Sequence, residues 1–446
     1  MIYFRGLNSF GLYRDSVGEH ISVRTRIHAK INSTLHRVTM TCDPDELARA
    51  MYMMSTNATV HIGITLSAIV VFIATSHVCR QIRKDLAQLT VIVIGAGPIG
   101  LTAALLALRC KRVTKLIIYE EESRARLEKR SYQIAIQPQH VSFLRGCGVD
   151  FDNLEGLWED GCFYTRVGIY LGYIINILQL YKKPVDFNFS TKFSRDLSAC
   201  VDSISGRKLA ICCDGRNGLA SRVLGLSDES IHHSTGVYGA LAAIEKNNET
   251  YVPKSEIRVH NVGFDLSAYN SAAYEDEGKS KFNLKIFGNS TCRFLALAIN
   301  KTDSNVVKTL RTVLDKSMMR NIFLKCFNTY KRADEASISD SFCLHHMRFS
   351  PRLYEIKLSQ RAEIAAYIAD CDLFVITEGE ASRSYNFNTG LDINAGFKGL
   401  VSLRSFVDQI TLADTEYNIT KTLVWKMDHS EKICKDLIKH GLKEYM

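Results

Sequence analysis

A glycine-rich turn between a predicted strand and a predicted helix constrains this chain more than any other feature of its sequence. Leu89–Ile94 is rich in β-branched residues and predicts a strand, while Leu101–Arg109 is rich in Ala and Leu and predicts a helix. The turn between them consists of Gly95, Ala96, Gly97, Pro98, Ile99 and Gly100. Glycines at this spacing permit a tight turn, a close approach to a pyrophosphate and close packing of helix on strand. The sequence therefore predicts a parallel α/β unit that holds a dinucleotide at the helix N-terminus.

An acidic residue at the end of the next strand supports this prediction. Leu116–Tyr119 is a second apolar run, and Glu120 follows it, 20 residues after Gly100. A carboxylate at this distance can accept hydrogen bonds from the ribose of a dinucleotide, and it favours FAD or NAD over NADP. A turn of the same form without a ligand is the alternative, but the strand, the helix and the acid all agree with a binding site.

Composition excludes several classes of protein. The chain has 446 residues, enough for two or three domains, and its hydrophobic content of 46% is that of a globular protein. Lys and Arg exceed Asp and Glu by 9, but the basic residues are scattered, which disfavours a nucleic-acid-binding role. The 13 cysteines contain no C-x-x-C pair, as is typical of reduced thiols in an intracellular protein. Scattered histidines do not stand at ligand spacing, so no metal site is expected.

The N-terminal part of the chain predicts either targeting or membrane attachment. Residues 1–57 form a basic, Ser-containing segment with the composition of a mitochondrial transit peptide. Val60–Cys79 contains no charged residue and, as a helix, is long enough to cross a bilayer, so residues 58–79 are a possible transmembrane helix. Arg80, Arg83 and Lys84 would then hold the remaining chain on the cytosolic side. A buried helix, with a mitochondrial or soluble cytoplasmic protein, is the alternative.

Three further segments carry a resemblance to a known family. The first is Glu128-Lys129-Arg130 with the stretch after it, in which a helix ends at a Gly; a solvated Arg on a charged helix is the alternative for Arg130. The second is a strand, Leu209–Cys213, that runs into Asp214 and Gly215. The third contains Gly379-Glu380-Ala381 and, later, Gly390-Leu-Asp-Ile-Asn394. With the glycine turn, these segments resemble the FAD-dependent aromatic-hydroxylase type of flavoprotein monooxygenase. The resemblance covers residues 88–226 and 370–408.

The resemblance implies roles for particular residues. Arg130 would contact the flavin side of FAD, and Asp214 with Gly215 would contribute to FAD and nicotinamide contacts. Glu380, which stands where the family has Asp, would bind the ribityl chain. Gly390 and Asn394 would face the flavin ring, next to a helix that begins near Ile393.

Departures from the family's motif concern the same late segment. Arg383 occupies a common His position, Phe387 stands in place of a Pro, and Asp392 replaces a loop glycine. A side chain at position 392 is expected either to crowd the flavin or to exclude a positive φ. These changes bear on oxygen chemistry more than on FAD binding.

The expected fold class is α/β, a Rossmann-like FAD/NAD(P)-binding domain with a β-rich (α+β) substrate domain. Residues 86–225 and 371–446 would form the two parts of the FAD-binding domain, the latter with C-terminal helices, and residues 226–370 the substrate domain. Val167–Leu180 is too short to span a membrane and predicts a core helix, and Val185–Phe189 predicts a third parallel strand. Phe282–Phe287 and Arg293–Ile299 predict a hairpin.

The resemblance implies an FAD-dependent oxidoreductase, and more specifically an NAD(P)H-dependent monooxygenase. Such an enzyme would bind NAD(P)H only transiently and transfer one oxygen atom from O2 to an unknown organic small molecule through a flavin hydroperoxide. Two alternatives stay open: a degenerate FAD-binding, membrane-tethered interaction protein, and a flavoenzyme that oxidises a protein substrate. The sequence names neither a catalytic residue nor an oligomeric state.

Overall fold

The structure is a computed structural model that describes residues 44–86, 88–245, 256–265, 279–289, 292–300, 310–333, 335–390 and 392–440. The chain divides into two compact units between residues 86 and 87. In the first unit the structure describes one helix, α1, Pro44–Leu86. Most of the basic segment 1–57 lies outside the described residues, so its targeting role stays a prediction.

Helix α1 contains the uncharged segment Val60–Cys79, so its helical conformation is confirmed. No helix among the described residues combines the length and the apolar character that crossing a membrane requires. The transmembrane helix expected over residues 58–79 is therefore not supported. Polar side chains interrupt this segment, and the hydroxyls of Thr65 and Thr75 donate to the helix's own carbonyls at 2.8 and 2.7 Å.

The strands of the second unit follow in chain order. They are β1 Leu89–Ile94, β2 Val113–Tyr119, β3 Gln133–Ile136, β4 Leu157–Glu159, β5 Cys162–Arg166, β6 Val185–Asn188, β7 Lys208–Cys212, β8 Ser230–Glu245, β9 Glu256–Asp265, β10 Lys279–Gly288, β11 Cys292–Asn300, β12 Met347–Phe349, β13 Tyr354–Arg361, β14 Ala365–Ile368, β15 Leu373–Thr377 and β16 Arg383–Tyr385.

The helices of the second unit lie between and after these strands in the chain. They are α2 Pro98–Arg109, α3 Arg124–Glu128, α4 Pro138–Gly146, α5 Val167–Gln179, α6 Arg195–Asp202, α7 Ala220–Val223, α8 Lys316–Tyr330, α9 Asp340–His346, α10 Ile393–Leu400, α11 Leu403–Ile410 and α12 Glu416–His440.

A six-stranded sheet in the order β14-β15-β7-β1-β2-β6 forms the first layer. All neighbours in it are parallel except β14 and β15, and β1 lies between β2 and β7. Strand β1 is almost wholly buried, which explains its nearly continuous Val and Ile sequence. Helix α2 packs on β1, β2 and α5, and its Thr102 hydroxyl lies 2.8 Å from the Tyr170 hydroxyl of α5. The predicted core helix and third parallel strand are thus confirmed as α5 and β6.

A second sheet is antiparallel, in the order β16-β13-β8-β11-β10-β9 with β12 paired to β8. The predicted hairpin is confirmed, because β10 and β11 pair antiparallel from Asn283 opposite Ala298 to Gly288 opposite Arg293. Helix α8 covers this sheet through the buried rings of Phe323 and Phe327.

A small sheet in the order β3-β5-β4 completes the unit. The mixed α/β fold class, with one mainly parallel and one antiparallel sheet, is confirmed. The boundaries 86–225, 226–370 and 371–446 stay a prediction. Between 365 and 385 the chain crosses between the sheets, since β14 and β15 belong to the first and β16 to the second.

Candidate functional site

A cavity of about 680 Å³ opens at the carboxyl ends of β1, β2, β7 and β15. Successive strands leave β1 in opposite directions here, with β2 and β6 on one side and β7 on the other. Ligands of open α/β sheets bind at such a reversal of strand order. Most of the predicted cofactor-binding residues line the cavity: Gly95, Gly97, Pro98, Ile99, Glu120, Arg130, Asp214, Gly215 and Glu380.

Two glycines of the turn are required by the protein itself. Gly95 has a φ of +98°, and a Cβ there would lie 2.4 Å from the carbonyl oxygen of Cys213. A Cβ on Gly100 would lie 1.9 Å from the Gly95 carbonyl oxygen. Gly100 does not line the cavity, and its position agrees with the packing of helix on strand for which it was predicted.

At the middle glycine, Gly97, neither the backbone conformation nor the packing requires a glycine. Its φ of −69° and ψ of 177° suit any residue. Apart from its two chain neighbours, no described residue has an atom within 4 Å of the position that a Cβ would occupy. This position borders the cavity, directly before Pro98 begins α2, where no described side chain caps the helix. The first-turn amides of α2 therefore present a positive helix end to the open space beside Gly97.

Glu120 fastens the glycine turn to the end of β2. The carboxylate accepts hydrogen bonds from the amides of Ala96 at 2.6 Å and Glu122 at 3.0 Å, and the side chain is buried. Each carboxylate oxygen has a second lone pair, so both can still accept from a ligand hydroxyl. The predicted ribose contact stays possible, but Glu120 also has a structural role that the sequence did not indicate.

A segment that sequence reasoning missed lies next to Glu120. Thr191, Lys192 and Phe193 line the cavity after the end of β6, and the Thr191 amide donates to the Glu120 carbonyl at 2.8 Å. Phe193 contacts Tyr119 edge to face, with ring centroids 5.7 Å apart. The available signal was the position of these residues directly after the third parallel strand.

Asp214 directs one carboxylate oxygen to the protein and leaves the other without a partner. Oδ2 accepts from the Ala220 amide at 2.9 Å, whereas Oδ1 is buried and makes no hydrogen bond within the described part of the chain. Burial raises the pKa of the Asp214 carboxyl. A Cβ on Gly218 would lie 2.1 Å from the Asp214 Cγ, so this glycine makes room for the carboxylate. An unpartnered acceptor beside a cavity is a group that a ligand donor can satisfy.

Arg130 and Glu380 lie at other walls of the cavity. Arg130 is exposed, and its carbonyl accepts from the Gly168 amide at 3.1 Å at the start of α5. The Glu380 side chain is also solvent-accessible, although desolvation by the surrounding protein, with the nearby Asp392, raises the pKa of its carboxyl. Both side chains are accessible to a ligand.

Asn394 and Gly390, predicted to face a flavin ring, do not line the cavity. The Asn394 side chain accepts from the Gln137 amide at 3.0 Å and donates to the Ala135 carbonyl at 2.8 Å, and it is fully buried. The Gly390 carbonyl accepts from the Ala135 amide at 2.8 Å, and a Cβ there would lie 2.4 Å from the Gln133 carbonyl oxygen. Both residues instead fasten this loop to strand β3.

Asp392 corrects the expectation that a side chain here would oppose a required positive φ. Its φ is −59°, and the left-handed residue of this loop is Gly390 at +79°. The Asp392 carboxylate accepts from the Thr389 amide at 2.9 Å, and the buried Lys285 ammonium donates to the Thr389 carbonyl at 3.3 Å. Asp392 lines the cavity, at the N-terminus of α10.

Comparisons with known proteins leave the family open. No family model matches the chain, and no curated protein matches its sequence. Among solved structures it is similar to tetracycline destructase Tet(51), with 15% identity, 78% of this chain and 89% of that chain covered, and a TM-score of 0.41. It is also similar to p-nitrophenol 4-monooxygenase PnpA from Pseudomonas putida DLL-E4, with 13% identity, 80% of this chain and 95% of that chain covered, and a TM-score of 0.41. A third similar structure is tetrameric 2-methyl-3-hydroxypyridine-5-carboxylic acid oxygenase, with 11% identity, 77% of this chain and 86% of that chain covered, and a TM-score of 0.43.

Proposed function

We propose that this chain binds FAD in the cavity and acts as an FAD-dependent oxidoreductase. The observation that carries the proposal is the open space at Gly97. Neither backbone conformation nor packing within the described residues requires a glycine there. A ligand that lies close to the backbone would account for a residue without a side chain at this position. The adjacent first-turn amides of α2 would hold the FAD diphosphate.

Other residues of the cavity fit the remaining parts of this cofactor. Glu120 would accept from the ribose, and the free Oδ1 of Asp214 is an acceptor for a hydroxyl or amide of FAD. Glu380 would accept from the ribityl hydroxyls, since its side chain is accessible from the cavity. Each of these carboxylates is an acceptor, as the hydroxyl-rich linker of FAD requires.

Apolar side chains and a helix end also line the cavity. Tyr132, Ile134, Val167 and Leu358 border it and would exclude water from a bound ring. Ile393, Ala395 and Gly396 of α10 line it too, so the positive end of this helix is directed at the cavity and would stabilise negative charge. Bound FAD would supply the redox chemistry.

We further propose that the reaction is a monooxygenation with NAD(P)H as transient reductant, O2 as co-substrate and a small organic molecule as substrate. The basis is the combination of a dinucleotide site with an apolar wall to which β3, α5 and β13 contribute, in a chain with one glycine fingerprint. Asp392 lines the cavity where the resembling family has a loop glycine. The φ of −59° at Asp392 fits the loop backbone, so this departure does not favour the alternative of a protein that binds FAD without using it.

One experiment separates these functions. The full-length protein is incubated with FAD, freed of excess cofactor, and examined by absorption spectroscopy before and after anaerobic addition of NADH or NADPH. Retained flavin that bleaches, then reoxidises in air with consumption of O2, agrees with an oxidoreductase. Retained flavin that neither nicotinamide reduces would favour the binding-only alternative, and a protein that retains no flavin would refute both.

A further inference from the structure

A buried lysine of the C-terminal helix reaches the residue that follows the last parallel strand. The side chains of Lys426, on α12, and Glu378, after β15, are each about 1% exposed. The Lys426 ammonium donates to the Glu378 Oε1, to the Ser402 hydroxyl at 2.8 Å and to the Gly399 carbonyl at 3.3 Å. All the donors of this ammonium are therefore used within the protein.

These contacts fix the carboxyl end of α10. Gly399 lies in the last turn of α10, where backbone carbonyls lack partners within the helix, and a cation there also complements the helix dipole. The Ser402 hydroxyl donates to the same Gly399 carbonyl at 3.0 Å. The other end of α10, at Ile393 and Ala395, lines the cavity. One short helix thus connects the Lys426 cluster with the cavity wall.

A second buried cation acts on the same helix. The Arg383 guanidinium donates to the Ala395 carbonyl at 3.5 Å and to the Ser430 hydroxyl of α12. A Cβ on Gly399 would lie 2.3 Å from the Glu378 Oε2 and 2.9 Å from the Arg383 Nη1, so a glycine at this position makes room for both side chains. Two cations and one carboxylate thus lie between α10, α12 and the residue that follows β15.

Stability alone is a poor explanation for this arrangement. Removing two charges from water costs free energy that a buried pair often fails to recover, and apolar residues of similar volume are frequently as stabilising. The Glu378 Oε2, moreover, is buried and makes no hydrogen bond within the described residues. The arrangement does give α10 a single position, because the Lys426 ammonium contacts α10 and the residue that follows β15 at once.

We propose that Lys426, held by Glu378, is a positioning residue that sets α10 against the cavity and so makes the C-terminal helix α12 part of the cofactor site. Its action on α10 is independent of any ligand, whereas its effect on FAD binding rests on the function proposed above. Loss of the cluster releases the carboxyl end of α10 and, through it, the cavity wall at Ile393 and Ala395.

The test compares Lys426→Met, Lys426→Arg and the double variant Glu378→Gln with Lys426→Met, in the full-length protein. The control is Lys432→Met, an exposed lysine on the same helix. The single Lys426→Met variant leaves a buried carboxylate without its partner and is expected to lower the unfolding midpoint. The double variant removes both charges and is expected to recover most of that loss, which separates global stability from positioning.

Hydrogen exchange of residues 393–400, measured without FAD by mass spectrometry, is the decisive measurement. We expect exchange there to be at least tenfold faster in the double variant than in wild type, with the strands of the first sheet unchanged. Lys426→Arg and Lys432→Met should stay within about threefold of wild type. FAD affinity should fall at least tenfold in the double variant. If residues 393–400 exchange at the same rate in the double variant as in wild type, the proposal is overturned, even if FAD binds. If the wild-type protein fails to bind FAD, only the proposed function is refuted.

Discussion

The carboxylate of Glu120, at the end of β2, accepts a 2.6 Å hydrogen bond from the amide of Ala96 in the glycine turn after β1. Ala96 is fully buried, so this amide has no access to water. One side chain therefore fixes the turn that borders the cavity and, on our account, also accepts from the cofactor ribose.

Glu120→Ala should destabilise the protein even without a ligand. The substitution leaves the buried Ala96 amide without its acceptor, at a cost of about 1–3 kcal/mol in the free energy of unfolding. Urea denaturation of the cofactor-free protein measures this loss. Glu121→Ala is the control, because the Glu121 side chain is 63% exposed and should change stability by less than about 0.5 kcal/mol. Equal effects of the two substitutions would contradict the structural role of Glu120.

Adding a methyl group should affect stability at Gly100 and FAD binding at Gly97. Gly100→Ala places a Cβ 1.9 Å from the Gly95 carbonyl oxygen, so we expect a loss of about 1–3 kcal/mol or more in stability. Gly97→Ala meets open space and should leave the unfolding midpoint unchanged while weakening FAD binding at least tenfold. Thermal unfolding without FAD, together with FAD titration, measures both effects. Destabilisation by Gly97→Ala would mean that the fold itself requires this glycine.

His140 should make the protein less stable in mild acid. Burial and the nearby Lys398 lower the pKa of His140 from 6.5 to about 4, and its ring lies 5.7 Å from that of Phe397. The unfolded chain therefore binds a proton between pH 6.5 and 4 that the folded protein does not. Stability is complete above pH 6.5 and decreases as the pH falls through this window, by up to about 3 kcal/mol. His140→Phe should flatten this dependence in urea denaturation at several pH values, whereas the exposed His345→Phe should keep it.

Lys285 should make the stability of the protein depend on pH in the alkaline range. Burial lowers the pKa of Lys285 from 10.5 to about 8, although Asp392 opposes that shift. The folded protein therefore releases this proton before the unfolded chain does, and stability should rise between pH 8 and 10.5. Lys285→Met should remove the rise in a denaturation series. Persistence of the same rise in the variant would show that another group titrates there.

Sequence reasoning succeeded where the pattern was local and strongly apolar. Strand β1 was predicted with the bounds that the structure shows, and α5 and the β10–β11 hairpin follow from equally local signals. The role of Asn394 was not predictable in this way, since its hydrogen-bond partner Gln137 lies 257 positions away in the chain. Lys426 gave no signal either, because a lysine on a long polar helix is normally exposed and only tertiary packing buries it.

The open space beside Gly97 also explains why the glycine fingerprint was informative. The sequence gives three glycines at the same spacing, and only coordinates distinguish those required by packing from the one that borders an open cavity. The cofactor assignment therefore depends on Gly97 far more than on Gly95 or Gly100.

Calorimetric titration of FAD into the full-length wild-type protein and into Gly97→Val tests the central claim most directly. Gly146→Val is the matched control, because a Cβ on Gly146 also meets no described atom within 4 Å and lies away from the cavity. The account predicts one FAD per chain for wild type and Gly146→Val, and at least a hundredfold weaker binding for a folded Gly97→Val. Absence of FAD binding by wild type, or equal affinity in Gly97→Val, would contradict it.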